Sequence, residues 1–349
     1  MSNDKFESQN KMVTKVWQFL DERLKFSTIS YDIPKHGNNL SYCLGGITLF
    51  GFVLLFITGI YMAAFYHPEV SEANESVRLI TASGLGSFIR GLHYWGGQAV
   101  LISIILHMVR VYITGSYKKP REFNWLVGIA LLAITIGLLF SGTVLKWNQE
   151  ALEAYMHNVE IGKMFGTLGM LLTGTTETFN LLTRMFMTHA ILLPLLLIFL
   201  FMAHAYFIKQ HEISPLPWHK KTPETVPFTS HLKKLTAYGL SFWVILGIFA
   251  LVFPSPLGPA PIWGIEVTKP PWFFLTLYPL EDLFGVKAIL YATILTFILL
   301  AAVPLIDRSK NREPRRRKLM IAGLLIALTL YIVLTLIGAF TPPRVHIGM

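Results

Sequence analysis

Four histidines carry the most specific chemical signal in the sequence. His93 and His107 lie 14 residues apart in one apolar stretch, and His189 and His204 lie 15 apart in another. An α-helix advances about 100° and 1.5 Å per residue, so 14 residues return to within roughly 40° of the starting face and climb about 21 Å, and 15 return to within about 60° on the other side. Each stretch therefore shows two imidazoles on one face, one near each end. Ionisable side chains inside apolar spans are expensive and usually functional. If the two stretches run in the same direction, His93 and His189 share one depth, and His107 and His204 the other. Two imidazole pairs at two depths are what two bis-imidazole haems require. Satisfied core histidines and a proton relay are the competing readings, and four residues at matched depths weigh against both. The same interval recurs in glycine: Gly45 and Gly59 are 14 apart, as are Gly128 and Gly142. Glycine lets a helix backbone approach a flat group closely, although small residues also serve ordinary helix packing in membranes.

The elements that must position these residues follow from composition. The chain has 349 residues, of which 53% are apolar and 14% charged, against about 25% charged in an average soluble domain. That excludes a disordered chain and argues against a soluble enzyme. A membrane crossing needs roughly 20 apolar residues, and seven stretches qualify: 40–66, 91–109, 123–145, 185–208, 235–253, 288–306 and 319–340. The expected fold is all-α, a polytopic membrane protein with seven transmembrane helices. The first four form a four-helix bundle around the histidines. Spans one and three run opposite to two and four, so Gly45 and Gly128 fall at the depth of His107, and Gly59 and Gly142 at the depth of His93. Two domains are expected, residues 1–212 with the four histidines and 213–349 with the last three spans.

Net charge is +10, and the excess is one-sided. One face carries the N-terminal lysines and arginines, Lys118, Lys119, Arg121, Lys209, Lys220, Lys221, Lys233, Lys234 and the run from Arg308 to Lys318. The positive-inside rule puts that face and the N-terminus in the cytoplasm and the C-terminus outside. The Arg315–Arg317 run then reads as a topology anchor, and no nucleic-acid partner is implied. The N-terminal segment is charged and amphipathic, with Val16, Phe19 and Leu20 on one side, and lacks the features of a cleavable signal peptide. The single cysteine, Cys43, rules out an intrachain disulfide, and there is no CxxCH motif for conventional c-type haem attachment.

Four segments resemble the cytochrome b/b6 family, the diheme membrane subunit of quinol:cytochrome c (or plastocyanin) oxidoreductases. They are SYCLGGITL at 41–49, IRGLHYWGGQAVLISIILHMVRVYITGSYKKPRE at 89–122, LTRMFMTHAILLPLLLIFLFMAHAYFI at 182–208 and KPPWFFLTLYPLE at 269–281. The resemblance implies that His93 and His189 ligate an outer, low-potential haem b, and His107 and His204 an inner, high-potential one. It implies that Gly45, Gly59, Gly128 and Gly142 pack against the haems. Arg90, Arg110 and Arg184 flank the histidine spans where the family places arginines near haem propionates, a pairing that suits the guanidinium fork. YCLGGIT at 42–48 resembles the chloroplast-branch motif whose cysteine holds a third, c-type haem through one thioether, which would make Cys43 its attachment point. The longer step from His189 to His204 also resembles that branch. There the chain is split after the fourth span, whereas here a b6-like half is fused to a subunit-IV-like half, without the last helix of the mitochondrial form.

The resemblance further implies two quinone sites. The family's outer-site Pro-Glu-Trp-Tyr corresponds to Pro270, Pro271, Trp272 and Phe273, and its Leu-Pro-Trp to Leu145, Lys146 and Trp147. The position of the site carries over, but its proton-accepting glutamate does not. Glu266, Glu281 and Asp282 are the nearby acids, although Glu281 stands ten residues past Pro271, about 15 Å along a helix, and each reads by default as a surface residue. At the inner site, Gln210-His211-Glu212 resembles a mitochondrial-branch His-Glu segment, making His211 a candidate. His36, His67, His157, His219, His231 and His346 lie in loops or tails and receive no role. The implied function is transmembrane electron transfer in a Rieske/cytochrome b complex: quinol is oxidised outside, one electron leaves to a Rieske 2Fe–2S protein, and the other crosses two b haems to an inner quinone, contributing to proton-motive force. The implied partners are the Rieske protein, a c-type cytochrome subunit, quinone, lipid of a prokaryotic plasma membrane and a second copy of the complex. A diheme anchor linking a dehydrogenase to the quinone pool is the alternative, and a proton-coupled transporter a more distant one. The anchor would not need the last three spans with the PPWFF segment, and b-type haem bands in a visible spectrum would exclude the transporter.

Overall fold

The computed structural model describes residues 18–19, 22–23, 31–173, 181–218 and 224–347. Val16 and Leu20 of the N-terminal segment, and His219, Lys220 and Lys221, lie outside the described residues. Among the described residues seven helices are long and apolar enough to cross a membrane: α1 Leu40–Ala63, α3 Gly84–Ile113, α4 Glu122–Leu145, α7 Leu181–His211, α8 Phe228–Val252, α10 Lys287–Ile306 and α11 Lys318–Phe340. Shorter helices connect them: α2 Ala73–Ala82, α5 Gln149–Lys163, α6 Gly166–Thr173 and α9 Tyr278–Phe284. The end of the bundle carrying α2, α5, α6, α9 and the 254–277 loop is here called the upper end. The lower end carries the 307–317 loop and a two-stranded antiparallel ribbon, β1 Asp32–Pro34 with β2 Thr225–Pro227, in which Ile33 pairs with Val226.

Lipid-facing side chains explain the composition. In α7 and α10 only 6% of the most apolar window is buried, and in α11 none is, although mean hydropathy there is 2.5 to 2.6. Apolar faces of that size left uncovered by protein need an apolar solvent, which makes this a multi-pass membrane protein. Where helices do meet, glycine allows close approach. A Cβ on Gly51 would meet Val100, on Gly91 Ala250 and on Gly239 Phe50. These contacts lock α1, α3 and α8 together.

The seven expected spans are all present, with shifted ends. α3 starts at Gly84 rather than 91 because Ser83 caps it, its Oγ accepting the Gly86 N–H at 3.0 Å. α7 runs to His211 and α8 begins at Phe228, since polar turns continue each helix beyond its apolar window. α5 was not expected. Asn148 caps it through the Ala151 N–H, so His157 stands on a helix and not in a loop.

α7 holds the least regular feature of the bundle. Thr188–Leu192, which includes His189, forms a π turn, and Pro194 follows without a backbone donor. A π turn accommodates one residue more than an α turn. The 15-residue step from His189 to His204 therefore acquires nearly the phase of the 14-residue step in α3.

At the lower end Asp307 accepts from Lys118 Nζ, Tyr117 Oη and Arg317 Nε at 2.7 Å each. Burial would raise the Asp307 carboxyl, but these three donors outweigh it and hold it down at about 2. The cluster ties the start of α11 to the α3–α4 connection and is nearly excluded from water. Asp307→Ala leaves two buried cations without a partner, and a loss of roughly 3–5 kcal/mol is expected, read as a lower thermal midpoint. Because the folded carboxyl is depressed, the stabilisation is fully present above the ordinary carboxylate range and disappears as pH falls toward about 2.

Candidate cofactor and substrate sites

The four histidines form two pairs between α3 and α7. The ring centres of His93 and His189 are 6.2 Å apart near the upper end, and those of His107 and His204 are 6.5 Å apart toward the lower end. A metal–imidazole bond is about 2 Å and the ring centre lies roughly 1 Å behind the bonding nitrogen, so two imidazoles sharing one metal axially stand about 6 Å apart. Both pairs fit one metal between them.

The four glycines lie against the same four rings. A Cβ on Gly59 would stand 3.3 Å from His93 Cε1, and on Gly142 3.0 Å from His189 Cε1. On Gly45 it would stand 3.1 Å from His107 Cε1, and on Gly128 3.7 Å from His204 Cε1. The backbones of α1 and α4 thus back up the imidazoles from the far side, at the depths the glycine interval implies.

Two hydroxyls define the upper pair. Thr58 Oγ1 lies 3.0 Å from His93 Nδ1, and Ser141 Oγ lies 2.9 Å from His189 Nδ1. Each hydroxyl donates its single proton to a helix carbonyl, Thr58 to Leu54 and Ser141 to Gly137, so each must accept from Nδ1–H. That assigns the tautomer and leaves both Nε2 lone pairs for a metal, as the outer-shell partners of metal-bound histidines do. At the lower pair no hydrogen bond of good geometry reaches Nδ1 of His107 or of His204 among the described residues, although the Asn124 backbone lies beside His204. Sequence reading missed Thr58 and Ser141. The signal was present, as each directly precedes one of the spaced glycines.

The upper pair opens on a cavity of about 390 Å³. Its walls include His93, His189, Gly59 and Gly142, and also Pro271, Trp272 and Phe273 of the upper loop. Trp272 is held to α3 by Nε1 donating to Gln98 Oε1 at 2.6 Å. Among the described residues Glu150 is the one carboxylate lining the cavity, paired with Lys146 at 2.6 Å. Trp147, between them in sequence, is buried with φ 44°, a left-handed conformation rare for a bulky residue. It turns the chain out of α4 and into α5, which brings Glu150 back over the cavity.

Arg90 also lines this cavity, yet its guanidinium donates to the Ser255 carbonyl and hydroxyl and to the Pro256 carbonyl, holding the upper loop down. Arg184 lies beside Tyr155. Arg110 sits at the lower end of α3, stacked over Tyr42 at 4.3 Å and bonded to the Ser41 carbonyl. Cys43 is 1% exposed, with its Sγ 3.5 Å from the Gly37 carbonyl. His211 ends α7, stacked on Phe207, and its carbonyl accepts from Arg121. Pro270 is not among the residues lining the cavity.

The acids expected at the surface are elsewhere. Glu266 is 8% and Glu281 4% exposed, and Asp282 is also enclosed. Glu281 does not line the cavity. All three converge with His157 and His346, two histidines that had received no role. The tail residue His346 folds back onto this cluster, a long-range contact that sequence spacing cannot reveal.

Comparison with known proteins agrees with this architecture. Residues 98–263 match the family model described as Cytochrome b(N-terminal)/b6/petB, and residues 261–349 the one described as Cytochrome b(C-terminal)/b6/petD. The cytochrome b6 of Heliobacterium mobile is 37% identical over 190 residues, covering 53% of this chain and 89% of that protein. This chain belongs to the cytochrome b/b6 family. The menaquinol:cytochrome c reductase cytochrome b subunit of Bacillus subtilis is 33% identical over 221 residues, covering 58% of this chain and 99% of that protein. A solved structure titled "Hyperthermophilic respiratory Complex III" matches in fold, with a TM-score of 0.76 and 24% identity over 93% of this chain and 91% of that one. As a cytochrome b/b6 family member the chain is an electron-transport protein, and membership implies b haems.

Proposed function

We propose that the chain is the cytochrome b subunit of a Rieske/cytochrome b complex that oxidises quinol in the upper cavity and passes electrons toward the lower end. The observation that carries this reading is the shared chamber, in which the His93–His189 pair and the Pro271–Trp272–Phe273 wall enclose one space. His93 and His189 would hold one b haem, and His107 and His204 the other. When bound, the haems supply reversible one-electron carriers at two depths. Hydrogen bonding from Nδ1–H raises the basicity of a ligating imidazole, so Thr58 and Ser141 favour the lower potential at the upper site and a downhill path to the lower one.

The chamber must bind and orient quinol, exclude bulk water and accept protons. Trp272, fixed by Gln98, and Phe273 supply the apolar wall, and Glu150 the carboxylate. One electron would leave to a Rieske 2Fe–2S partner bound at the upper end and then to a c-type cytochrome. The test is quinol-dependent cytochrome c reduction by the purified complex. Haems reduced by quinol with the Rieske partner absent, and no loss of turnover on its removal, would favour a plain dehydrogenase anchor instead. At the lower end, His211 is assigned to the quinone-reducing site.

The lower end is assigned to the cytoplasm, from the charge bias. With buried Cys43 silent, Glu75→Cys at the upper end should react with an impermeant thiol reagent in intact cells, and Lys310→Cys should be protected. The reverse pattern inverts the orientation.

Cys43 is further assigned a third haem. It lies two residues from Gly45, which backs His107, and Arg110 and Lys234 are close enough to act on a charge there. Attachment requires the Lys35–Asn38 turn to lift off the thiol, which is closed by Gly37. The wild-type chain should stain for haem peroxidase after denaturing electrophoresis, and Cys43→Ser should abolish the stain while both b haems remain. An unstained wild-type band makes Cys43 an ordinary buried thiol.

A further inference from the structure

The upper end carries a second constellation outside the quinol chamber. His157 comes from α5, Glu266 from the upper loop, Glu281 and Asp282 from α9, and His346 from the tail. His157 Nε2 lies 3.0 Å from Glu281 Oε1 and 3.6 Å from Glu266 Oε1. His346 Nδ1 lies 3.3 Å from Glu266 Oε1 and 4.0 Å from Glu281 Oε2. His157, Glu266 and His346 offer ligand atoms that all lie within 4.8 Å of one another. Bonds of about 2.0–2.1 Å at tetrahedral angles place neighbouring donors roughly 3.4 Å apart; the two Glu266 contacts lie close to that, at 3.3 and 3.6 Å, and Glu281 would draw in as the fourth donor, facing His157 through Oε1 and His346 through Oε2. We propose that His157, His346, Glu266 and Glu281 form a structural zinc site that pins the C-terminal tail to the upper end.

The groups behind the donors support this more strongly than the distances alone. A metal-bound histidine almost always gives its other ring N–H to a carboxylate or a backbone carbonyl. His346 Nε2 lies 2.7 Å from Asp282 Oδ1, and His157 Nδ1 lies 2.7 Å from the Glu153 carbonyl. The ligand carboxylate of Glu266 is itself oriented, its Oε2 accepting the backbone N–H groups of His346 and Ile347 at 2.8 and 3.0 Å. Glu281 Oε1 is buried and faces His157 Nε2 at 3.0 Å, and no hydrogen bond of good geometry reaches it from the described residues. Charge points the same way. Three nearly buried carboxylates meet two imidazoles and Arg344, which lies 3.7 Å from Asp282, and with neutral imidazoles Zn²⁺ and Arg344 together cancel the three negative charges. Imidazole nitrogens and carboxylate oxygens are both zinc donors, and four protein donors would leave no open position for water or substrate, which favours a structural role.

The purified complex, prepared without chelator, should contain one zinc per chain by elemental mass spectrometry. The zinc absorption edge is separate from that of haem iron and should report a shell of nitrogen and oxygen donors only. His157→Gln combined with His346→Gln should lose the zinc while both b haem bands and the Rieske partner remain, which controls for folding. Arg344 is already exposed, so chelation of the wild type should free the tail backbone and speed trypsin cleavage after Arg344, and zinc chloride alone should slow it again. Absence of zinc, with no saturable uptake of added zinc chloride, would overturn the proposal and leave an ion-paired clasp. Zinc retained at full stoichiometry in the double variant would also overturn it.

Discussion

His189→Ala will leave the purified complex with a single b haem, and quinol-dependent reduction of cytochrome c will be abolished. His189 faces His93 across 6.2 Å, and no other nitrogen among the described residues is placed to replace it. His204→Ala should remove the other haem, because its pair with His107 spans 6.5 Å at the opposite depth. The two variants must differ spectroscopically, each leaving the haem that the other loses. Ser141→Ala is the finer test. It removes the acceptor 2.9 Å from His189 Nδ1 without touching the ligating nitrogen. Outer-shell losses of this kind typically weaken metal affinity about 10–100-fold. The retained haem should have a higher potential, since a less basic imidazole stabilises the ferric state less. A purified His189→Ala protein with two full haem b equivalents would sink the assignment, and an unchanged potential in Ser141→Ala would separate the hydroxyl from the electronics of the site.

Much of this arrangement was legible because helices in lipid are regular. The intervals between His93 and His107, and between Gly45 and Gly59, translate directly into depth, and the glycine contacts in the structure fall on the expected histidines. The step from His189 to His204 was harder. Its extra residue is absorbed by the π turn at Thr188–Leu192, a local irregularity that helical periodicity does not encode. The upper end was least legible. α5 is a polar helix whose value lies in tertiary contact, Glu150 reaches the cavity only because Trp147 takes a left-handed turn, and His346 reaches α5 and α9 only through the fold-back of the tail. The acids at 266, 281 and 282 looked exposed because loop carboxylates usually are. Here two histidines and backbone N–H groups make their burial tolerable.

Glu150→Gln should reduce quinol oxidation by about 100-fold, the scale of a positioned proton acceptor. Quinol oxidation releases two protons for two electrons, and an apolar chamber needs a base within reach of the hydroxyls. Among the described residues Glu150 is the one carboxylate on the cavity wall. Tyr66, Arg90, Tyr94 and Lys146 are the other ionisable groups there besides the two histidines. Arg90 is committed to the upper loop, and Lys146 to Glu150 itself. A tyrosine or a lysine presents a proton where an acceptor is needed, which leaves the carboxylate. Glu150→Gln keeps the shape of the side chain but cannot take up the proton. Lys146→Met removes the partner 2.6 Å from the carboxylate and should slow turnover less than Glu150→Gln does, because the acceptor itself stays. Glu150→Asp should recover part of the rate. Steady-state turnover of the whole complex reads all three. If Glu150→Gln keeps the wild-type rate, the protons leave by another route, and the haem assignments stand. If the wild-type complex oxidises no quinol at all, the reading of the chamber itself is what fails.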